Sequence, residues 1–285
     1  MFKYLRLVPT IGVRIVYDNF VHFKPFIKHP ERKTVREKWH YGQATIISLL
    51  KWLRTDLRIQ GLENVEELKQ KDIKALYVGN HMSLLDPLVL VSVMDDPMRL
   101  VGKKEVKKIP VVGNVLESVD GLFMDREDLK QSLKIILECT KTLKENDRDV
   151  VIFPEGTRNK EPQTTMPAPY HVGSFKAATR AGAPIIPFCL YGTFYGLGTK
   201  PDFRSVPVEL IFGKPIYKEE YEQLTPEELA NKVHQWTCEQ VEKCRAFEKE
   251  YFKERKQKIP YRKVKAKWKG KMFTKYDFDN MKSLD

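Results

Sequence analysis

Residues 75–94 read ALYVGNHMSLLDPLVLVSVM. Ala75–Gly79 is a short apolar run that reads as a strand, and Pro87–Met94 is continuous and apolar like a buried helix. Between them, His81 stands five residues before Asp86. This strand, loop and helix unit recurs along the chain. Further strands are expected at Arg99–Val101, Leu122–Met124, Val150–Phe153, Ile185–Leu190 and Val208–Phe212. A helix is expected over Asp128–Glu145, where Leu129, Leu133, Ile136, Leu137 and Leu143 approximate helical spacing. Such alternation predicts an α/β layer with a largely parallel sheet flanked by helices. Thr225-Pro226-Glu227-Glu228 is a capping box with proline at the first helical position, and opens a long C-terminal helix to about Lys256.

Charge is unevenly distributed. Residues 1–60 hold 12 Lys/Arg against 4 Asp/Glu, residues 251–285 again hold 12 against 4, and the middle holds 26 against 30. Two basic ends around a mildly acidic body point to an anionic surface as partner. No helix-turn-helix, zinc-finger or RNA-recognition pattern is visible, so nucleic acid is not the expected partner. The first basic end interleaves Phe2, Tyr4, Leu5, Leu7, Val8, Val13, Val16, Tyr17, Phe20, Val21, Phe23 and Phe26 with Arg6 and Arg14. That is too charged for a spanning helix and suits a segment lying in a membrane interface. A second piece between Trp39 and Trp52 carries Ile46, Ile47, Leu49 and Leu50, giving an expected helical pair.

Other signals are negative. The uncharged stretch 181–199 is punctuated by Pro184, Pro187 and four glycines, which favours a strand and turns over a spanning helix. The N-terminus lacks a clean apolar run with a cleavage site, so no secretory signal is expected. Cys139, Cys189, Cys238 and Cys244 show no C-x-x-C spacing, and neither a metal site nor a disulfide framework is indicated.

His-x4-Asp alone is weak, with about 0.3 chance matches expected. Phe153-Pro154-Glu155-Gly156-Thr157-Arg158 is far more specific and follows another strand-like run. A histidine with an orienting aspartate suits general-base activation of an alcohol, because the hydroxyl is a poor nucleophile at neutral pH. No Gly-x-Ser-x-Gly elbow is present, which favours direct attack on a bound thioester over a serine acyl-enzyme. Arg126 and Arg158 each end a glycine-containing motif, and their forked guanidinium groups suit phosphate oxygens. The bland reading of both is pairing with Asp125 or Glu155. There is also no Walker loop, Gly-x-Gly-x-x-Gly or His-Glu-x-x-His.

Four ordered segments, Asn80–Pro87, Gly121–Arg126, Phe153–Arg158 and Ala183–Pro187, resemble the blocks of the glycerolipid acyltransferase family, most closely its bacterial lysophosphatidate acyltransferases. Val101–Val106 resembles the lysine-bearing segment before the second block, although Phe123 and Met124 stand where aliphatic residues are usual. The resemblance covers roughly residues 60–215. It implies His81 and Asp86 as catalytic residues, and Lys103, Arg126, Glu155, Gly156, Thr157 and Arg158 around the acceptor. It further implies an O-acyltransferase moving a fatty acyl group from acyl-CoA or acyl-ACP to the sn-2 hydroxyl of lysophosphatidate, with no other cofactor and no metal. Acylation of another lysolipid or of glycerol 3-phosphate, or a non-catalytic lipid- or nucleic-acid-binding role, are the alternatives. The expected organisation is basic amphipathic membrane-association helices over 1–60, a catalytic domain over 61–258 and a basic tail over 259–285. The expected location is the cytoplasmic face of the cell membrane, as a peripheral or monotopic protein.

Overall fold

The computed structural model describes residues 11–53, 55–109, 111–197, 206–256, 264–268 and 271–275. Phe2, Tyr4, Leu5, Leu7 and Val8, and much of the basic tail, lie outside these residues. In chain order the N-terminal helix α1 (Val13–Asp18) runs through a π-turn (Asn19–Phe23) into α2 (Lys24–Lys28), and α3 spans Val35–Trp52. Then come β1 (Thr55–Gln60), α4 (Leu62–Gln70), β2 (Leu76–Gly79), α5 (Asp86–Val93), β3 (Met98–Lys103), α6 (Val112–Ser118) and β4 (Leu122–Met124). These are followed by α7 (Leu129–Lys144), β5 (Asp149–Ile152), α8 (Lys176–Ala181), β6 (Ile185–Tyr191), α9 (Phe194–Leu197) and β7 (Val206–Phe212). α10 (Lys218–Tyr221) and α11 (Pro226–Lys256) precede a two-stranded ribbon, β8 (Val264–Trp268) and β9 (Lys271–Lys275).

Seven strands form one sheet in the order β1-β7-β6-β2-β5-β3-β4. β6, β2, β5, β3 and β4 are mutually parallel, whereas β7 runs antiparallel to β6 and carries β1 parallel to itself. Five strands therefore end at the same edge, where an open α/β sheet usually places its ligands. Both faces are covered, so alternate residues enter two cores. Tyr77, Val151, Ile186 and Phe188 meet the helices of the first half, including Trp39, Ile46 and Leu90. Leu76, Val78, Val150 and Ile152 meet α7, α8 and α11 through Ile136, Cys139, Ala178 and Val233. The expected capping box forms, with the Glu228 amide donating to Thr225 Oγ1 at 3.2 Å and the Thr225 amide donating to Glu228 Oε2 at 2.7 Å.

The N-terminal helices divide between two environments. In α3, Trp39, Ile46 and Leu50 are buried, Trp39 Nε1 donates to the Met94 carbonyl at 3.0 Å, and Gln43 Nε2 donates to Val91 and Met94 carbonyls at 3.0 Å. These bonds satisfy carbonyls that the C-terminus of α5 leaves open, so α3 is a core helix. The first helical segment is different: Val13, Val16, Tyr17, Phe20 and Val21 are exposed, while Asp18 anchors it to Thr45 at 2.6 Å and Asn19 to Asn114 at 2.7 Å. β1 also lies before residue 60 yet belongs to the sheet, pairing parallel with β7. Its sequence TDLRIQ hides it, because Asp56 and Arg58 read as solvent-facing until β7 brings Glu209 against Arg58, which also holds Asp56. Among the described residues, no helix is long and apolar enough to cross a membrane.

Candidate active site

β2 delivers the chain to the site. The side chain of Asn80 continues the β2–β6 ladder like a backbone unit, donating to the Leu190 carbonyl at 2.7 Å and accepting from its amide at 2.9 Å. His81 follows in a loop held on both sides. Its amide donates to Glu155 Oε1 at 2.5 Å and its carbonyl accepts from the Asn159 amide at 2.8 Å. The imidazole stacks on Phe153 with centroids 4.4 Å apart, and Nδ1 lies 2.7 Å from Asp86 Oδ2. With Nδ1–H committed to the carboxylate, the other ring nitrogen is the one available to accept a proton. The side chain is 20 % exposed, so part of the ring is reachable from solvent.

Asp86 opens α5 and is fully buried. Its Oδ2 also accepts from the Met82 and Ser83 amides at 2.6 and 2.7 Å, and Thr193 Oγ1 donates to Oδ1 at 2.5 Å. Four donors thus replace the water lost on burial. The sequence reading missed Thr193, which follows β6 and sits 107 positions from its partner. Gly192 makes the connection, because at φ +84° a Cβ would overlap the Pro207 carbonyl. The Ser83 hydroxyl accepts from the Leu85 amide at 3.2 Å in the same loop.

Glu155 is 4 % exposed and its second oxygen accepts from the Ala168 amide at 2.9 Å. The side chain therefore ties the His81 loop to the segment after the FPEGTR turn. Burial pushes its carboxyl up to about 7, against the pull of those two amides. The C-terminal helix straps the same segment, through Arg245 Nη2 to the Pro162 carbonyl at 2.7 Å and His234 Nε2 to the Pro167 carbonyl at 3.0 Å. Gly156 has φ +73°, and a Cβ on it would collide with the Arg126 guanidinium. This close approach seats Arg126 on the turn, where partial burial lowers its proton affinity.

The cations expected around an anion have not been spent on carboxylates. Asp125 pairs with Lys104 at 2.5 Å and Glu155 with backbone amides, so neither neutralises Arg126 or Arg158. Among the described residues Lys103, Arg126 and Arg158 form no ion pair. Thr157 and Arg158 are exposed on the turn after β5, and Lys103 ends β3 in register with Met124 of β4, two residues before Arg126. The eight expected residues therefore fall on the C-terminal ends of four neighbouring strands. No group of three His, Cys, Asp or Glu among the described residues is placed to hold a metal.

Comparison with known proteins agrees with this geometry. The Acyltransferase family model matches residues 56–191. A chloroplastic 1-acyl-sn-glycerol-3-phosphate acyltransferase of Brassica napus is 31 % identical over 80 % of this chain and 64 % of that protein. The Helicobacter pylori protein of the same name is 30 % identical over 60 % of this chain and 76 % of that protein. The chain spans 48 % to 64 % of the length of the Brassica, Arabidopsis, Borreliella and Haemophilus relatives. The crystal structure of the 1-acyl-sn-glycerophosphate acyltransferase of Thermotoga maritima has the same fold, with a TM-score of 0.63 at 22 % identity over 86 % of this chain and 98 % of that one. With 30 % identity across 76 % of the Helicobacter protein, the chain belongs to the acyltransferase family.

Proposed function

We propose that the protein transfers a fatty acyl group from a thioester, acyl-CoA or acyl-ACP, to the sn-2 hydroxyl of lysophosphatidate, giving phosphatidate. The observation that carries this reading is the 2.7 Å contact between His81 Nδ1 and a fully buried, fourfold hydrogen-bonded Asp86, together with Lys103, Arg126 and Arg158, which form no ion pair among the described residues. The names of the relatives point to the same acceptor. His81 Nε2 takes the hydroxyl proton as the oxygen attacks the thioester carbonyl. Asp86 holds the ring and stabilises the imidazolium. Collapse of the tetrahedral adduct breaks the C–S bond, and the imidazolium returns its proton to the departing thiolate. Lys103, Arg126 and Arg158 hold the acceptor's phosphate, arginine by its fork and lysine as a point charge. Glu155, Gly156 and Thr157 shape the turn on which that phosphate rests.

The exposed apolar row Val13, Val16, Tyr17 and Phe20 supports attachment to a membrane, with the protein peripheral on the cytoplasmic face where its donors are found. The test is phosphatidate formation by purified protein in detergent, with lysophosphatidate and both donor classes, alongside His81→Ala. Product from the wild type and a loss of about a thousandfold in the variant are expected. Turnover by the variant within tenfold of wild type sinks the base assignment, and absence of product from the wild type sinks the acceptor.

A further inference from the structure

The helix α7 carries two apolar rows, and they face opposite ways. Ile135, Ile136, Cys139 and Leu143 enter the core. Leu129, Leu133 and Leu137, expected on one face with Ile136 and Leu143, point outward at 82 %, 50 % and 49 % exposure. Their spacing of four places them in a single row along the helix. Lys130, Lys134, Lys141 and Lys144 are exposed beside them. Of the acids at this helix, Glu138 leans toward Arg99 at 3.9 Å, and Glu145 at its C-terminal end lies 3.9 Å from Lys141. The outer face is therefore a leucine row set among four lysines, one of them paired with an acid at the helix end.

This face is fixed relative to the candidate site. Asp128 caps the helix through the Lys130 and Gln131 amides at 3.0 and 3.1 Å. Gln131 Nε2 donates to the Phe123 carbonyl and Ser132 Oγ to the Asp125 carbonyl, both at 2.7 Å. The leucine row thus begins three residues beyond Arg126, on a first turn bolted to β4.

We propose that the outer face of α7 is a docking surface for an anionic lipid bilayer, distinct from the N-terminal helix. Leucines enter the acyl boundary while lysine stems extend to the headgroups, the division found in helices that lie in an interface. The proposal rests on the reading of the acceptor as a membrane lipid, because the row then starts where that lipid's phosphate is held. A second copy of this chain is a poor occupant, since self-pairing sets four lysines against four.

The test is co-sedimentation of the full chain with phosphatidylglycerol-containing and phosphatidylcholine vesicles, which needs no acyl transfer and so stands even if the proposed reaction fails. Leu129→Ser/Leu133→Ser/Leu137→Ser is expected to weaken binding to anionic vesicles about tenfold. Lys130→Gln/Lys134→Gln/Lys141→Gln is expected to weaken that binding without changing attachment to phosphatidylcholine. All six positions are exposed, and unchanged thermal melting serves as the folding control. Wild-type binding by the leucine variant overturns the proposal. A variant that binds vesicles normally but loses turnover with acyl-ACP alone also overturns it, in favour of an acidic protein partner.

Discussion

Among the buried carboxyl groups of the described residues, Asp86 at the mouth of the sheet and Glu209 in β7 are solvated in opposite ways. Asp86 has four donors at 2.5 to 2.7 Å, two from the backbone, one from a hydroxyl and one from an imidazole. Glu209 has a cation, yet fares worse. It sits in a row with Tyr191 of β6 and Arg58 of β1, paired across three strands. Arg58 Nη1 is 3.4 Å away, and the same guanidinium also serves Asp56 at 3.3 Å and faces the Phe247 and Tyr251 rings. Among the described residues Glu209 Oε2 has no hydrogen-bond partner, and Glu248 nearby also leaves one oxygen unmatched. Burial pushes the Glu209 carboxyl up to about 8 despite the arginine. Fixed donors at short range thus replace lost hydration more completely than one full charge shared at longer range.

Asp86→Asn tests that comparison most severely. An asparagine can keep its oxygen under the three N–H donors and turn its NH2 toward the Thr193 oxygen, so the fold around it survives. What disappears is the negative charge that stabilises the imidazolium. A fall of about a thousandfold in kcat is expected, with KM for both substrates little changed. Turnover within tenfold of wild type would mean that the donor shell matters and the charge does not.

Thr193→Val is the next step down. It removes the donor to Oδ1 and leaves a buried carboxylate oxygen short of one bond, which costs about 1–3 kcal/mol. Expressed where charge on the histidine develops, that corresponds to about a tenfold loss in kcat. Thr193→Ser restores the hydroxyl and is expected to recover the rate. A Val variant at full kcat assigns Thr193 to folding alone.

Features held by nearby residues were legible in the sequence, and those completed by distant partners were not. His81, Asp86, the FPEGTR turn and the strand and helix alternation follow from spacings within a few residues. Thr193 carries no local mark, because its role exists only once β6 lies beside β2. β1 escaped notice because its charged residues are buried by β7, about 150 positions later in the chain. In α7 both rows are apolar, and the sequence offers no means of choosing which one faces the sheet. Glu155 was expected beside the acceptor. Its chemistry gave no hint that both oxygens would be taken by amides of two other loops.

The smallest expected effect concerns the other carboxyl. With a folded value of about 8 against an ordinary 4.5, Glu209 keeps a proton in the native state that the unfolded chain releases across that interval. The contribution of this group to stability is therefore fully present below about pH 4.5 and is lost as pH rises to 8. Glu209→Gln cannot titrate, so relative to wild type its melting temperature should gain between pH 5 and pH 8, by about 6 °C. Asp149 and Glu155, raised by burial to about 6 and about 7, slope the same way in both proteins and cancel in the difference. A melting difference that does not change with pH would mean that Arg58 holds Glu209 ionised throughout. In that case one shared guanidinium would solvate a buried carboxylate as well as the four donors of Asp86 do, and the contrast between the two sites would fail.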